Sequence, residues 1–227
     1  MEMPDQRHIV AIGGGGTPDA VIDGVLALVP RERPRLLYVG TAQAEDPWST
    51  LATYDRFRGK AELRHLEFFP WPPQDLRALT LAQDVIWVGG GNTANMLAIW
   101  RVHGFDRILL EAWEQGVVLA GGSAGMICWF EAGVTDSFGP QLEGMRDGLG
   151  FLPGSACPHW DDEENRRPVY RRLIDEEGFP RGYAADSGAG LHFVGTDLVE
   201  VLSDRPEGTG YRVEPGSETR LEPRVLR

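Results

Sequence analysis

The stretch Val117-Val118-Leu119-Ala120-Gly121-Gly122-Ser123-Ala124-Gly125 constrains this chain more than any other. Four apolar residues end in glycines, a serine sits among them, and Met126-Ile127-Cys128-Trp129 opens a helical pattern. Gly121, Ser123 and Gly125 satisfy G-x-S-x-G, in which a strand turns at once into a helix with the serine at the apex. Backbone turned so sharply is strained, and side chains on either side would obstruct it; glycine removes them. The hydroxyl then points out of the turn. The Ala124 amide, at the helix start, points the same way and can stabilise an oxyanion. The plainer reading is a glycine-rich strand-to-helix turn holding an incidental serine, since motif matches carry false positives.

The rest of the first half supplies a context for such a turn. His8–Ile12, Arg35–Val39 and Asp84–Val88 read as short, nearly continuous apolar strands, and 61–69 contains another built on Leu63, Leu66 and Phe68. Helical patterns lie between them. One starts at Thr17-Pro18-Asp19, with a capping threonine, and runs to about Val29. Others cover Pro47–Phe57, the segment from Met96 to Gly104, and Phe105–Gln115. Alternating strands and helices with near-continuous apolar strands predict an α/β fold, a mostly parallel sheet flanked by helices. Ligands of such sheets bind beyond the carboxyl ends of the strands, where Gly89-Gly90-Gly91-Asn92 and Ser123 both fall. The glycine run Gly13–Gly16 does not fit a dinucleotide site: the third position of G-x-G-x-x-G would be Pro18 or Asp19, and no G-K-[S/T] follows. A tight turn near the functional end of the sheet is the better reading.

Bulk properties exclude several classes. With 227 residues and no repeats or linker, residues 1–227 read as a single domain. A formal net charge of −12 would be repelled by a phosphate backbone, so no nucleic-acid partner is expected. No apolar run reaches the roughly 20 residues that span a membrane. Met1–Asp5 lacks the features of a signal peptide, so a cytoplasmic location is expected. Two cysteines, Cys128 and Cys157, are too few for a disulfide framework.

A serine hydroxyl is a poor nucleophile without a base. His8 starts a strand, His65 lies in one and His103 ends a helix, so these three read as structural. His159 follows a predicted strand and precedes Asp161-Asp162-Glu163-Glu164, read as the acidic start of a helix paired at i+4 with Arg166 and Arg167. That places His159 at the carboxyl rim as the base, with His192 its rival. Asp186 and Ser187, in a turn after a short strand, are candidates for the orienting third group. The order Ser, acid, His, with Asp136 or Asp147 and His192, is the weaker alternative. His159 with its acidic neighbours lacks paired-ligand metal spacing, so neither metal nor cofactor is expected. Segment 133–154, rich in glycine and acids, reads as hairpin and loop over the site.

Val88-Gly89-Gly90-Gly91-Asn92-Thr93, Gly121-Gly122-Ser123-Ala124-Gly125, the isolated His159 and Gly182-Tyr183-Ala184-Ala185-Asp186-Ser187 together resemble peptidase family S51, which includes peptidase E (aspartyl dipeptidase) and cyanophycinase-like enzymes. The resemblance covers most of the chain. It implies a class I glutamine amidotransferase-like fold, a flavodoxin-like three-layer sandwich. It implies Ser123 as nucleophile, His159 as base, and the Gly91 and Ala124 amides as oxyanion donors, in an enzyme cleaving short peptides from the N-terminal end, often after aspartate. The family's last block commonly reads Asp-Glu, with glutamate as third catalytic member; here Ser187 stands in that place. The expectation is therefore Ser123-His159-Ser187, with Asp186 as alternative orienter. An N-terminal aspartate needs a cation, which points to Arg166, Arg167 and Arg171, and Asn92 is a further substrate-binding candidate. The rival readings are an esterase or amidase on the same elbow, or a catalytically lapsed small-molecule-binding protein. Short peptides are the expected partners, and the sequence is compatible with a homodimer.

Overall fold

Strands that are apolar almost throughout must be covered on both faces, and four of them form the middle of the protein. In the computed structural model, which describes residues 7–227, β1 (His8–Ile12), β2 (Arg35–Val39), β4 (Val85–Val88) and β5 (Val118–Gly122) run parallel in the order β1-β5-β4-β2, and β3 (Glu62–Leu66) closes one edge. Ile9 to Ile12, and Leu36, Leu37 and Val39, have no exposed surface, whereas edge strand β3 exposes three of its five residues. The segment Met1–Asp5, read above for targeting signals, lies outside the described residues.

The helices that cover this sheet form for local reasons. α2 (Pro47–Phe57) begins where the Asp46 carboxylate accepts from the Ser49 amide, with Pro47 at a position that needs no donor. In α4 (Thr93–His103) Asn92 plays the capping part, and Gly104 ends the helix at φ 68°. α5 (Phe105–Glu114) follows directly and turns Phe105, Leu109, Ala112 and Trp113 inward; α3 (Leu76–Leu81) lies against it. α1 (Asp19–Leu26) differs from expectation at both ends. Pro18 occupies the cap position without a side-chain hydrogen bond, so Thr17 does not cap, and the helix stops before Val29.

The second half departs further from a single parallel sheet. β10 (Gly190–Val194) adds to β1 antiparallel, followed by β11 (Asp197–Ser203) and β14 (Pro223–Val225), giving eight strands. A separate sheet of six strands has the order β13-β12-β9-β8-β6-β7, from β6 (Phe130–Thr135), β7 (Glu143–Met145), β8 (Leu152–Cys157), β9 (Gly182–Ala185), β12 (Gly210–Glu214) and β13 (Ser217–Arg220). One core joins the sheets: Phe130 on β6 meets Phe193 on β10 edge to face, at 5.8 Å between centroids. The fold is thus α/β, sheets flanked by helices, consistent with a flavodoxin-like sandwich. Among the described residues, no helix is long and apolar enough to cross a membrane.

α7 spans Arg166–Glu176 and begins later than the acidic run suggests. Pro168 is the reason. It cannot donate to the Glu164 carbonyl, and its ring would collide with that carbonyl, so the helix cannot extend upstream. Asp161 to Glu164 form a turn instead, and the expected i+4 pairs are replaced by Glu163–Arg166 at i+3 and by Arg167–Glu218.

Candidate active site

The end of β5 turns directly into α6 (Ala124–Ile127), with Ser123 between them at φ 57° and ψ −111°. A non-glycine residue adopts such angles only when its surroundings hold it there. They do. The Ser123 amide donates to Ile12 O at 3.1 Å, and its carbonyl accepts from Met126 and Ile127. A Cβ on Gly121 or Gly125 would lie 2.5 or 2.4 Å from the Val88 carbonyl oxygen, so the flanking glycines are required by the end of β4. α6 is one turn long, which leaves the Ala124 amide itself, rather than a summed helix dipole, as the electrostatic resource.

β8 delivers His159 to the same rim. Its amide donates to Gly13 O at 2.7 Å, its φ is 57°, and its Nε2 lies 3.0 Å from Ser123 Oγ. The imidazole rests on the loop after β1: a Cβ on Gly14 (φ +98°) would fall 2.4 Å from His159 Cε1, and one on Gly13 would fall 2.2 Å from the Asp186 carbonyl oxygen. The glycine run after β1 therefore makes room for the histidine and for the turn that carries Ser187.

On the far side of the ring, Nδ1 lies 3.3 Å from Ser187 Oγ, 3.4 Å from Asp162 Oδ1 and 3.7 Å from Glu163 Oε1. Ser187 Oγ donates to Asp162 Oδ2 at 2.6 Å, and its amide donates to Asp161 Oδ1 at 2.7 Å. Glu163 is engaged by the buried Arg166 at 2.6 Å. Asp162 did not emerge from the sequence; Pro168, which sets where α7 begins, would have freed it from a helix start. Among the described residues, no group of three His, Cys, Asp or Glu side chains converges as a metal site.

Asp186 is placed differently from its neighbour. It is 3% exposed, Oδ2 accepts from the Thr209 amide at 3.0 Å, and among the described residues Oδ1 has no partner. Burial pushes its carboxyl up to about 6: the loss of water outweighs the Thr209 amide and the fields of Arg205 and Arg220, which favour the ionised form. A raised folded value means the native state holds the proton more tightly than the unfolded chain, whose carboxyl titrates near 3.9. The resulting stability is complete below about pH 4 and is lost as pH rises through about 6. Asp186→Asn does not titrate. Urea unfolding should show its stability relative to the parent improving by ~2 kcal/mol between pH 4 and pH 8. Its kcat/KM should stay within about threefold of the parent, since Asp186 does not touch the imidazole.

The other candidates are dispersed. Arg166 (side chain 4% exposed) donates to Val134 O and Glu163, Arg167 pairs with Glu218 and stacks on Trp160, and Arg171 pairs with Asp175 and the Glu214 and Ser217 carbonyls. None of the three is among the residues lining the cleft around Ser123; they tie α7 to its own sheet. Asn92 is likewise structural, capping α4 and donating to Ser137 O at 2.9 Å. His192 is buried against His8 and Glu200, near the amino end of β1 and away from Ser123. Asp147 pairs with Arg101 on the surface. Segment 133–154 holds the β6–β7 hairpin and the connection into β8, and its residues are not among those lining the cleft. Both cysteines are buried, and burial pushes their thiols up, as befits core residues.

The cleft itself has a volume of about 720 Å³. Ser123, His159 and Gly91 lie in it, and its outer wall is α2, with Ser49, Thr53 and Arg56. Arg56 is a cation on the cleft wall that no sequence signal marked. Its ion-pair partner is exposed Asp19, at a loose 3.8 Å. Among the described residues, no backbone carbonyl takes up the Gly91 or the Ala124 amide.

A profile of peptidase family S51 matches residues 9–201. The chain is 45% identical over 213 residues to the uncharacterized peptidase YgaJ of Bacillus subtilis (strain 168), covering 91% of this chain and 92% of that one. Its fold is similar to a peptidase from an acI-B1 Actinobacterium (TM-score 0.70, 16% identity, 95% of this chain and 94% of that one). It is also similar to a putative peptidase E protein from Listeria monocytogenes EGD-e (TM-score 0.65, 15% identity, 85% and 95%).

Proposed function

The chain belongs to peptidase family S51 and is a serine-type peptidase, and from that premise we propose that it is an exopeptidase hydrolysing short peptides from their N-terminal end through an acyl-enzyme on Ser123. The observation that carries the reading is the 3.0 Å approach of His159 Nε2 to Ser123 Oγ at a strained elbow in a cleft. His159 Nε2 takes the Ser123 proton as Oγ attacks the scissile carbonyl. The oxyanion is held by the uncommitted Gly91 and Ala124 amides. The C–N bond then breaks as the imidazolium returns the proton to the leaving amine. Water, deprotonated by the same nitrogen, releases the acid and restores Ser123.

A cleft of about 720 Å³ suits a substrate of a few residues rather than a folded chain. The cation on its wall, Arg56, is loosely held and can exchange Asp19 for a substrate carboxylate. That favours peptides beginning with aspartate among those accepted. Arg56→Ala should raise KM for Asp-X peptides by about 10- to 100-fold, the worth of a hydrogen bond to a charged group, and leave Ala-X peptides within about threefold. An equal loss on both would dissociate Arg56 from the acidic side chain. The test of the overall reading is a panel of dipeptides and tripeptides, free and N-acetylated, beside simple esters. Cleavage of the free peptides with loss on acetylation supports an exopeptidase; turnover of esters without peptides favours the esterase.

A further inference from the structure

The third position of the site holds a hydroxyl, which carries no charge, and yet it lies in direct contact with a carboxylate. We propose that Asp162 is a positioning residue for the reaction, acting on His159 through the Ser187 hydroxyl; this rests on the Ser123–His159 reading above.

An ionised carboxylate only accepts hydrogen bonds, so at 2.6 Å the Ser187 proton must point to Asp162 Oδ2. A hydroxyl has one proton. With it committed, Ser187 Oγ can only accept from His159 Nδ1, at 3.3 Å. Nδ1 then carries the ring proton of the neutral imidazole, and Nε2 is left bare to take the proton of Ser123, at 3.0 Å. Asp162 thus selects the tautomer. Without the carboxylate the hydroxyl could rotate and donate to Nδ1, which would place the ring proton on Nε2, the wrong nitrogen for a base.

The second contribution is charge. Asp162 Oδ1 stands 3.4 Å from Nδ1 and attracts the imidazolium that forms during acyl transfer. The other acids around the ring are committed elsewhere: Glu163 to Arg166, and Asp161 to Arg205 and the Ser187 amide. Those contacts fix the turn that holds Ser187, and Arg205 also donates to the Ser187 carbonyl at 3.2 Å. Because the Asp162 side chain is 48% exposed, solvent screens its field, and its effect is smaller than that of a buried acid.

The experiment is kinetics on Asp162→Asn, Asp162→Glu, Ser187→Ala and the double variant Asp162→Asn/Ser187→Ala. Asp162→Asn should lower kcat about 10- to 100-fold with KM nearly unchanged. A merely structural role would instead move KM and kcat together. Asp162→Glu should recover part of the rate, and the double variant should be no slower than the worse single variant. Unchanged kcat in Asp162→Asn, or losses that multiply in the double variant, would overturn the proposal. If the parent's activity survives Ser123→Ala, the failure lies in the underlying reading, not in the role of Asp162.

Discussion

Ser123→Ala should lower kcat by about 10⁴- to 10⁶-fold on any peptide the parent cleaves, and His159→Gln should do nearly the same. The two together should cost little more than either alone. A hydroxyl without its base and a base without its hydroxyl are equally unable to attack, so the losses do not multiply. The residual rate belongs to the amides of Gly91 and Ala124. Stability should move the other way. Ser123 holds φ 57° and ψ −111°, an arrangement a glycine adopts without strain. Ser123→Gly should therefore be inactive and about 1 kcal/mol more stable than the parent, by urea or thermal unfolding. Inactivity with reduced stability in both Ser123 variants would mean the serine braces the elbow rather than being strained by it.

The second large effect is expected at Gly14, which makes none of the chemistry. An alanine there places a methyl group 2.4 Å from His159 Cε1 and 2.5 Å from Nε2, and the backbone φ of +98° resists any side chain. The ring must move, and a base displaced by about 1 Å loses on the order of 10²-fold in rate. Gly14→Ala should thus lose at least about 100-fold in kcat while remaining folded, since it lies in a loop at the cleft. Gly16→Ala is the matched comparison. Among the described residues nothing lies within 4 Å of its added methyl, and its activity should stay near that of the parent. If the two variants behave alike, the loop does not seat the imidazole as described.

The parts of this account differ in how far the sequence carries them. β1, β2, β4 and β5 were legible because they are buried on both faces, and near-continuous runs of apolar residues leave few alternatives. Ser123 and His159 were legible for a related reason: each follows such a strand, and a position after a strand is a position at the rim. The six-stranded sheet was not. Its strands are short and interrupted by Gly133, Gly144, Gly154 and Gly182, and it pairs segments distant in sequence, so periodicity in any one of them says little. Asp162 was hidden by an acidic run that looks like a helix start until Pro168 is weighed. Arg166, Arg167 and Arg171 drew notice because they follow His159 in sequence, but the helix turns them toward β12, β13 and Val134. Arg56, on an exposed helix with few apolar residues, reads like any solvated charge, and only the wall it forms distinguishes it.

The central claim is that Ser123 is a nucleophile activated by His159, and covalent capture tests it without presupposing a substrate. The folded protein is treated with a serine-directed phosphonate, digested, and its peptides are weighed by mass spectrometry. The account predicts one adduct, on the peptide containing Ser123, absent from Ser123→Ala and formed far more slowly in His159→Gln. A protein that cleaves peptides yet acquires no adduct at Ser123, or labels equally fast without His159, would contradict it.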